Sequence, residues 1–384
     1  MKLKNAFTSK LPNVKTTIFT TVGNLARQHH AIDLSQGFPN FETDKNLINL
    51  VSNAMKQGHN QYASMPGFYG LREIISEKIE SMHGKTYHPE SEITVTVGAT
   101  QAIFTAISAF VHPGDEVILF KPAYDCYEPA IELNGGIPVF VQLDADGYQI
   151  DWDKFKSRLS SKTRMIIINT PHNPTGHILN KKDMLQLQEI LRETNIIVLS
   201  DEVYEHIIFD HNEHESVSRF PELASRSIVC ASFGKTFHVT GWKIGYCVAP
   251  EVLMEEIRKV HQFAVFCVDH PVQRAIATYL KSPNHYLELN DFYQHKRDLF
   301  LDGLKNSKFR FNPSKGTYFQ LLDYSNISNE RDEDLAKRMI VSHQLACIPI
   351  SSFNVDNRND NMLRFCFAKK DETLKQALDI LCTF

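Results

Sequence analysis

The stretch Ala231–Tyr246, which reads A-S-F-G-K-T-F-H-V-T-G-W-K-I-G-Y, places groups capable of chemistry in one turn. Lys235 lies among Ser and Gly residues directly after an apolar run, and Lys243 lies between Gly241 and Gly245. Small residues let a backbone approach a ligand closely. A lysine amine at such a turn can form a Schiff base with a carbonyl group, and a second cation beside it can hold a phosphate.

Three polar side chains, those of Asn173, Asp201 and Lys235, each follow an apolar run that indicates a buried strand. In an open α/β sheet, ligands bind outside the carboxyl ends of the strands, so we expect the three groups to converge on one crevice. A molecule with both a carbonyl and a phosphate would use both lysines of the stretch, and pyridoxal 5'-phosphate is such a molecule. Taken singly, an Asn or Asp after a strand has a plainer interpretation as a turn or helix cap.

The elements that must position these groups alternate between strand and helix. Ile93–Val97 predicts a strand, Gly98–Thr100 interrupts it, and Ala102–Val111 places apolar residues at helical spacing. The first N–H groups of such a helix form a natural anion site. Further runs are rich in Ile and Val and apolar throughout, which is typical of strands buried on both faces of a parallel sheet. These runs are Glu116–Phe120, Ile137–Val141, Met165–Asn169, Ile196–Ser200 and Ile228–Ser232.

The order of elements predicts an α/β fold whose sheet is covered by helices on both faces, followed by a smaller α+β domain. Residues 1–45 are predicted to form an N-terminal arm and part of the small domain, residues 46–281 the large domain, and residues 282–384 the C-terminal small domain. The predicted helices outside the sheet region are Thr17–His29, Glu251–Lys281, Phe292–Leu304, Asp332–His343 and Glu372–Leu381, and the predicted small-domain strands are Thr317–Leu322 and Met362–Phe367.

Composition narrows the class of protein. The 384 residues are 42% hydrophobic and 22% charged, as expected of a soluble globular protein of about two domains. The net charge of -4 gives no electrostatic basis for binding nucleic acid or an anionic membrane. The seven cysteines form no Cys-x-x-Cys pair and lie mostly in apolar runs, which indicates buried, reduced thiols. Because no apolar run approaches the ~18 residues of a membrane span, we expect a cytoplasmic protein.

Two other kinds of site find little support. A cluster of histidines and acidic residues suggests a metal site, but it falls in a predicted polar loop without a fixed set of ligands, so no metal is predicted. The sequence has no G-x-G-x-x-G turn after a strand, which leaves a nicotinamide oxidoreductase without support. The cluster comprises His206, Asp210, His211, His214 and Glu215.

Four segments resemble motifs of the class I/II, fold type I, pyridoxal-phosphate-dependent aminotransferases, in that family's order and approximate spacing. The resemblance extends from L-P-N-V at Leu11 almost to the C-terminus. Lys121–Ala130 and T-P-H-N-P favour the branch that contains kynurenine and glutamine aminotransferases, and the chain also resembles bacterial methionine aminotransferases. It implies a mostly parallel sheet of the seven-stranded type between helices, a smaller α+β domain, and pyridoxal 5'-phosphate as cofactor. The segments are T-P-H-N-P-T-G (Thr170–Gly176), S-D-E-V-Y (Ser200–Tyr204), S-F-G-K-T-F (Ser232–Phe237) and L-R-F-C-F-A (Leu363–Ala368).

The resemblance assigns the catalytic roles to Lys235, Asp201 and Tyr204. Lys235 would form the Schiff base with the cofactor and, once freed, carry a proton between the substrate Cα and the cofactor C4′. Asp201 would pair with the pyridine nitrogen and keep the ring protonated. Asn173 and Tyr204 would hydrogen-bond the phenolic O3′. A solvated lysine, a turn-stabilising Asn and a half-buried core Tyr are the plainer alternatives.

Further cofactor contacts follow from the same resemblance. Tyr124 would stack on the pyridine ring, unless it is an ordinary core aromatic. The phosphate would be held by the backbone N–H groups of Ala99 and Thr100, by Ser232 and by Lys243. Many relatives carry arginine at the position of Lys243, and a lysine keeps the charge but lacks the planar fork that binds phosphate with two parallel hydrogen bonds.

The resemblance also assigns residues to the substrate and to contact with a second subunit. Arg364 would hold the substrate α-carboxylate in bidentate fashion, with Asn173 and the backbone N–H of Gly37 beside it. Tyr62 matches a tyrosine that reaches the phosphate of the neighbouring subunit, so the resemblance implies a homodimer, and Phe38 and Tyr62 would line the side-chain pocket. The plainer alternatives are a surface ion pair, a turn glycine and a loop tyrosine packed within its own chain.

Three functions remain open at this point. The first is an aminotransferase that moves the α-amino group of methionine or an aromatic amino acid to a 2-oxo acid by a ping-pong cycle of pyridoxal and pyridoxamine phosphate. The alternative is a kynurenine/glutamine transaminase with cysteine-S-conjugate β-lyase activity. A non-catalytic sensor domain of a transcription regulator is disfavoured, because the resemblance begins near residue 11 and the net charge is negative.

Overall fold

The computed structural model describes residues 8–384 and places the predicted strands within one or two residues of their expected bounds. The strands are β1 (Ile32–Asp33), β2 (Ile93–Thr96), β3 (Glu116–Lys121), β4 (Ile137–Gln142), β5 (Thr163–Asn169), β6 (Ile197–Asp201), β7 (Ser227–Ser232), β8 (Gly245–Val248), β9 (Phe319–Asp323), β10 (Leu345–Ala346), β11 (Ile348–Pro349) and β12 (Met362–Cys366).

Helices occupy much of the remaining described chain. They are α1 (Ile18–Gln28), α2 (Lys45–Lys56), α3 (Tyr69–His83), α4 (Gly98–Phe110), α5 (Tyr127–Leu133), α6 (Trp152–Ser157), α7 (Lys181–Leu191), α8 (Pro221–Ala224), α9 (Phe233–Thr236), α10 (Glu251–Ala264), α11 (His270–Tyr279), α12 (Asn284–Leu287), α13 (Leu289–Leu304), α14 (Asp332–His343) and α15 (Asp371–Leu381). Within the described range, no helix is long and apolar enough to cross a membrane.

The central element is a seven-stranded sheet with the order β2-β8-β7-β6-β5-β3-β4. Strands β3 to β7 pair in parallel, and β8 runs antiparallel to both of its neighbours. The prediction of a mostly parallel α/β sheet is therefore confirmed. Strand β8 was not predicted, because its four residues directly follow the glycine-bracketed turn at Lys243 and carry too little apolar pattern to identify a strand.

Both faces of the sheet are buried, as its apolar strands predict. On β3 and β5, Ile118 and Ile166 face one core while Val117 and Met165 face the other. Helix α4 covers the second face with residues such as Ala102. Because side chains of a strand alternate between its faces, an apolar residue at every position requires a core on both sides.

A second group of elements lies outside this sheet. Strands β11, β12 and β9 form an antiparallel sheet, and β1 pairs in parallel with β10, so the N-terminal segment joins the C-terminal elements. The helical sequence predicted over Glu251–Lys281 forms two helices: α10 ends at Ala264, and Asp269 caps α11. Asp269 accepts a hydrogen bond from Val272 N, and the proline at the start of α11 suits a first turn.

Candidate active site

A cavity opens where β5, β6 and β7 end and α4 begins. The carboxyl ends of parallel strands meet at one edge of a sheet, which is where ligands of α/β proteins bind. Most of the side chains that the sequence predicts for the site line this one cavity. They are Ala99, Thr100, Tyr124, Asn173, Asp201, Tyr204, Ser232, Lys235 and Lys243.

Asn169 ties the ends of two neighbouring strands together, and the sequence interpretation missed it. It is the last residue of β5 and lies opposite Asp201, the last residue of β6. Its Nδ2 donates to the Asp201 carbonyl at 2.8 Å, and its Oδ1 accepts from Asn173 N at 2.8 Å. The available signal was a polar residue that ends an otherwise apolar strand.

Asp201 is a buried carboxylate at the base of the cavity. The Tyr127 hydroxyl donates to its Oδ2 at 2.6 Å, and Val203 N donates to Oδ1 at 3.3 Å. Burial raises the pKa of Asp201 to about 6, so the carboxylate is still charged at neutral pH and is a suitable partner for a cation. Tyr127 was also missed, although it is the second tyrosine of Lys121–Ala130.

Lys235 lies in the one-turn helix α9 directly after β7. Burial lowers the pKa of its amine to about 8, which leaves a fraction of the amine neutral and nucleophilic near neutral pH. Its Nζ donates to the Tyr318 hydroxyl at 2.9 Å and to the Gly37 carbonyl at 3.1 Å, and lies 5.7 Å from the centre of the Tyr204 ring. Tyr318 had no assigned role in the sequence interpretation.

One end of the cavity has the character of an anion site. Helix α4 begins at Gly98, whose φ of +69° is readily adopted only by glycine. A Cβ added at Gly98 would lie 3.5 Å from Lys243 Nζ, so the lysine amine lies against the start of the helix. Ala99, Thr100 and Ser232 complete this end of the cavity. A helix N-terminus with a lysine beside it suits a phosphate.

Arg364 lies on β12 and is fully buried rather than paired at the surface, and it contacts the cavity lining through Asn173. Its guanidinium donates to Asn173 Oδ1 at 2.7 Å and to the Ser35 carbonyl at 3.0 Å. The group lies 3.9 Å from the centre of the Phe319 ring, and its Nε has no partner. An arginine with an unused buried donor can still bind a carboxylate.

The remaining predicted residues do not line the cavity, and only one of them, Gly37, lies close to the site. Gly37 lies beside the site, where a Cβ would come within 2.8 Å of Phe319 Cζ, so a larger residue would disturb the packing. Tyr62 lies outside the cavity: its side chain is 81% exposed and packs edge-on against Phe266 at 5.3 Å between ring centres. Phe38 is also exposed.

The histidine and acidic cluster lies in a segment without helix or strand, as the sequence suggested, but only part of it is exposed. His206 and His214 are buried, and His214 Nε2 lies 2.7 Å from Glu202 Oε2. Glu205 lies nearby and pairs with buried Lys78 at 2.7 Å. Buried carboxylates require such partners, which explains why histidines follow β6. In residues 8–384, no three His, Cys, Asp or Glu residues are grouped suitably for a metal ion.

These groups fit pyridoxal 5'-phosphate on their chemistry alone. A buried lysine can bind its carbonyl, a buried carboxylate can pair with its ring nitrogen, and the start of α4 with Lys243 can hold its phosphate. Arg364, with its unpartnered Nε, leaves a donor for a substrate carboxylate.

Comparisons with known proteins point in the same direction. A family model described as aminotransferase class I and II matches residues 29–381. The chain is 46% identical to the methionine aminotransferase of Escherichia coli over 374 residues, which are 97% of each chain. It is 34% identical to a kynurenine–oxoglutarate transaminase of Dictyostelium discoideum, with 93% of this chain and 91% of the relative covered.

A solved structure has nearly the same fold. It belongs to an Escherichia coli protein identified as having a methionine aminotransferase function, and it superposes with a TM-score of 0.96 at 45% identity. The match covers 99% of this chain and 100% of that chain.

Proposed function

This chain belongs to the aminotransferase class I and II family, and on that premise we propose that it moves the α-amino group of methionine or an aromatic amino acid to a 2-oxo acid. It is a pyridoxal-phosphate-dependent aminotransferase. The observation that carries the site assignment is that Lys235, Asp201 and Asn173 line one cavity, with Arg364 hydrogen-bonded to Asn173. When bound, pyridoxal phosphate supplies the carbonyl that accepts the amino group and an electron sink for charge at the substrate Cα.

In this proposal, Lys235 transfers the proton and Asp201 pairs with the charge on the cofactor ring. Lys235 Nζ would remove the proton from the substrate Cα and deliver it to the cofactor C4′, a role that suits an amine whose pKa is about 8. The Asp201 carboxylate, ionised above its pKa of about 6, pairs with the protonated ring nitrogen. The hydrogen bond from Tyr127 holds the carboxylate in place.

The remaining cofactor-binding residues bind the cofactor and orient its ring. The N–H groups of Ala99 and Thr100, the Ser232 hydroxyl and the Lys243 amine hold the phosphate, which the positive end of α4 favours. Tyr124 would cover the ring, and Asn173 and Tyr204 would hydrogen-bond its phenolic oxygen; all three residues line the cavity. These contacts fix the ring relative to Lys235.

Substrate binding is assigned to Arg364 with Gly37. The guanidinium binds the α-carboxylate, and its contacts with Asn173 and the Ser35 carbonyl keep it oriented. The aromatic rings beside Arg364 make the surroundings apolar, which suits a methionine or aromatic side chain better than a second carboxylate. These rings belong to Phe19, Phe319 and Phe353.

The choice of methionine as the preferred donor is supported by the 46% identity with the Escherichia coli methionine aminotransferase. A second candidate is a kynurenine/glutamine transaminase that also eliminates a leaving group from the Cβ of cysteine S-conjugates. The 34% identity with the Dictyostelium kynurenine transaminase supports it, and Lys235 and Arg364 would have the same roles.

The proposed active unit is a homodimer in the cytoplasm, biosynthetic in role, with Tyr62 of each subunit reaching the neighbouring phosphate. Exposed aromatic rings at Tyr62, Phe263 and Phe266 support an interface on this surface, because apolar patches rimmed by polar residues mark contacts. The unpaired state of all seven cysteines supports a reducing compartment. The division into domains at residues 45 and 281 stays a prediction.

One experiment tests this function. The purified enzyme receives methionine, phenylalanine, kynurenine or a cysteine S-conjugate together with a 2-oxo acid, and we expect the highest kcat/KM for methionine. Borohydride should fix the cofactor to Lys235, and Lys235→Ala should lower turnover by about a thousandfold or more. Lys259→Ala, which changes an exposed lysine, should leave turnover unchanged.

Two results would contradict the proposal. Release of pyruvate and ammonia from the conjugate, without amino transfer to any acceptor, would favour the β-lyase. Normal turnover by Lys235→Ala would remove the assigned mechanism altogether.

A further inference from the structure

Tyr318, Lys235 and Gly37 form a closed triangle of hydrogen bonds. The Tyr318 hydroxyl donates to the Gly37 carbonyl at 2.5 Å. Lys235 Nζ lies 2.9 Å from the same hydroxyl and 3.1 Å from the same carbonyl. Tyr318 is only 1% exposed, so water does not compete for these bonds.

The triangle determines which group donates. A tyrosine hydroxyl has one proton, and here that proton goes to the Gly37 carbonyl. The hydroxyl therefore meets Lys235 as an acceptor, and so does the carbonyl. Two N–H bonds of Lys235 are held in fixed directions. A neutral amine has only two N–H bonds, so its lone pair is the one position on Nζ that stays free.

The segment that carries Tyr318 is held in an unusual backbone conformation. Thr317 has a φ of +66°, which a β-branched residue adopts only under strain. Its N–H donates to the Ile207 carbonyl at 2.9 Å, and its Oγ1 accepts from Phe319 N at 3.1 Å. This conformation places two successive rings at the site, Tyr318 against Lys235 and Phe319 against Arg364.

We propose that Tyr318 is a positioning residue: its hydroxyl, held by the Gly37 carbonyl, receives the Lys235 amine whenever the amine is free and fixes the direction of its lone pair. The role is distinct from folding alone, because the Tyr318 ring already packs on Tyr204 and Tyr293 without the hydroxyl. Through Gly37, the same hydroxyl links the lysine to the segment that borders the substrate site.

Other ionisable groups around the amine have to be kept constant in any test. The charged and titratable side chains that face Lys235 are Asp201, Tyr204, Lys243, Tyr318, Arg364 and Cys366. A change confined to the Tyr318 hydroxyl keeps all the other side chains, and of these Tyr204 also loses a hydrogen-bond partner.

The test uses Tyr318→Phe, which removes the hydroxyl and keeps the ring. Holoenzyme is converted with excess amino donor to the pyridoxamine phosphate form, in which the Lys235 amine is free, and labelling of Lys235 by acetic anhydride is measured by mass spectrometry across pH. Loss of an acceptor disfavours the protonated amine, so the labelling midpoint should fall by about one pH unit. We expect kcat to fall about tenfold with KM nearly unchanged.

Tyr293→Phe is the matched control. Tyr293 is buried against Tyr318, but its hydroxyl has no partner, so this variant should keep the wild-type midpoint and kcat. If Tyr318→Phe does not fold, Thr317→Gly provides the second test, since it frees the segment and should shift the midpoint in the same direction. A labelling midpoint equal to that of Tyr293→Phe in the folded variant would overturn the proposal.

Discussion

At the scale of single residues, burial changes the two main ionisable groups of the site in opposite directions. It lowers the pKa of Lys235 to about 8 and raises that of Asp201 to about 6. Both shifts favour the neutral form, because a low-dielectric surrounding disfavours charge. A cofactor with a cationic ring and an anionic phosphate would supply opposite charges that stabilise the ionised forms of Asp201 and Lys235.

Asp201→Asn tests whether the buried carboxylate lowers the stability of the cofactor-free protein while it serves catalysis. Folded Asp201 binds a proton up to about pH 6, whereas the unfolded side chain releases it near 3.8. The folded state thus holds more protons between these pH values, so the free energy of unfolding falls as pH rises through them. Without cofactor, the variant should be more stable than the wild type at pH 7.5 by about 1–3 kcal/mol. Its kcat should fall at least about a hundredfold.

Urea unfolding of cofactor-free protein between pH 4 and 8 measures the effect. Asp302→Asn is the control, because its exposed pair with Lys305 should change stability by less than about 0.5 kcal/mol. An Asp201→Asn protein that is less stable than the wild type at pH 7.5 would show that the carboxylate is not the strained group inferred from its burial.

At the scale of elements, the start of α4 and the ends of the parallel strands build the site. The strands bring Asp201 and Lys235 to one edge, and α4 presents its N-terminus to the same cavity. Gly98 makes the tight passage from β2 into α4 possible because its φ is positive. Substitution there should affect cofactor binding more than chemistry.

Gly98→Ala and Gly84→Ala form a matched pair. Both glycines have a positive φ, +69° and +71°, so each alanine should cost about 1–2 kcal/mol of stability. A Cβ at Gly84 meets nothing within 4 Å, whereas one at Gly98 points at Lys243 Nζ. We expect only Gly98→Ala to weaken cofactor affinity, by about tenfold. Titration of cofactor-free protein with pyridoxal phosphate measures it, and equal affinities for the two variants would refute the assigned phosphate site.

At the scale of the whole molecule, the family and fold implied by the motifs are confirmed, and the dimer stays a prediction. Tyr62 is 81% exposed and lies outside the cavity of its own chain. If Tyr62 serves the neighbouring site, each site takes Lys235 from one subunit and Tyr62 from the other. Lys235→Ala and Tyr62→Ala then inactivate a site through different subunits. A hybrid of the two variants then contains one intact site.

Mixing the two variants under conditions of subunit exchange should therefore restore activity to about a quarter of the wild-type level, because half of the dimers are hybrids with one intact site each. Sedimentation should report a dimer. No recovery from the mixture, while both proteins sediment as dimers, would place the function of Tyr62 within its own chain.

Residue types and their local spacing were enough to predict the strands of the parallel sheet and to place Lys235, Asp201 and Asn173 just after three of them, whereas Arg364 was predicted from the family resemblance. Apolar runs report burial on both faces, and a polar residue after such a run lies at the ligand edge by topology alone. The sequence interpretation missed β8 and the break between α10 and α11, because short or irregular segments lack a period.

Only the tertiary structure decided what holds these groups in place. Tyr127 meets Asp201 across 74 positions of the chain, and Tyr318 meets Gly37 across 281. Contacts at such separations leave no local pattern, since they depend on how strands and helices pack. The same packing buries Lys235, Asp201 and His206, and burial sets their pKa values. Sequence by itself determined which chemistry is available, and three-dimensional burial and pairing decided the ionisation and orientation with which it is presented.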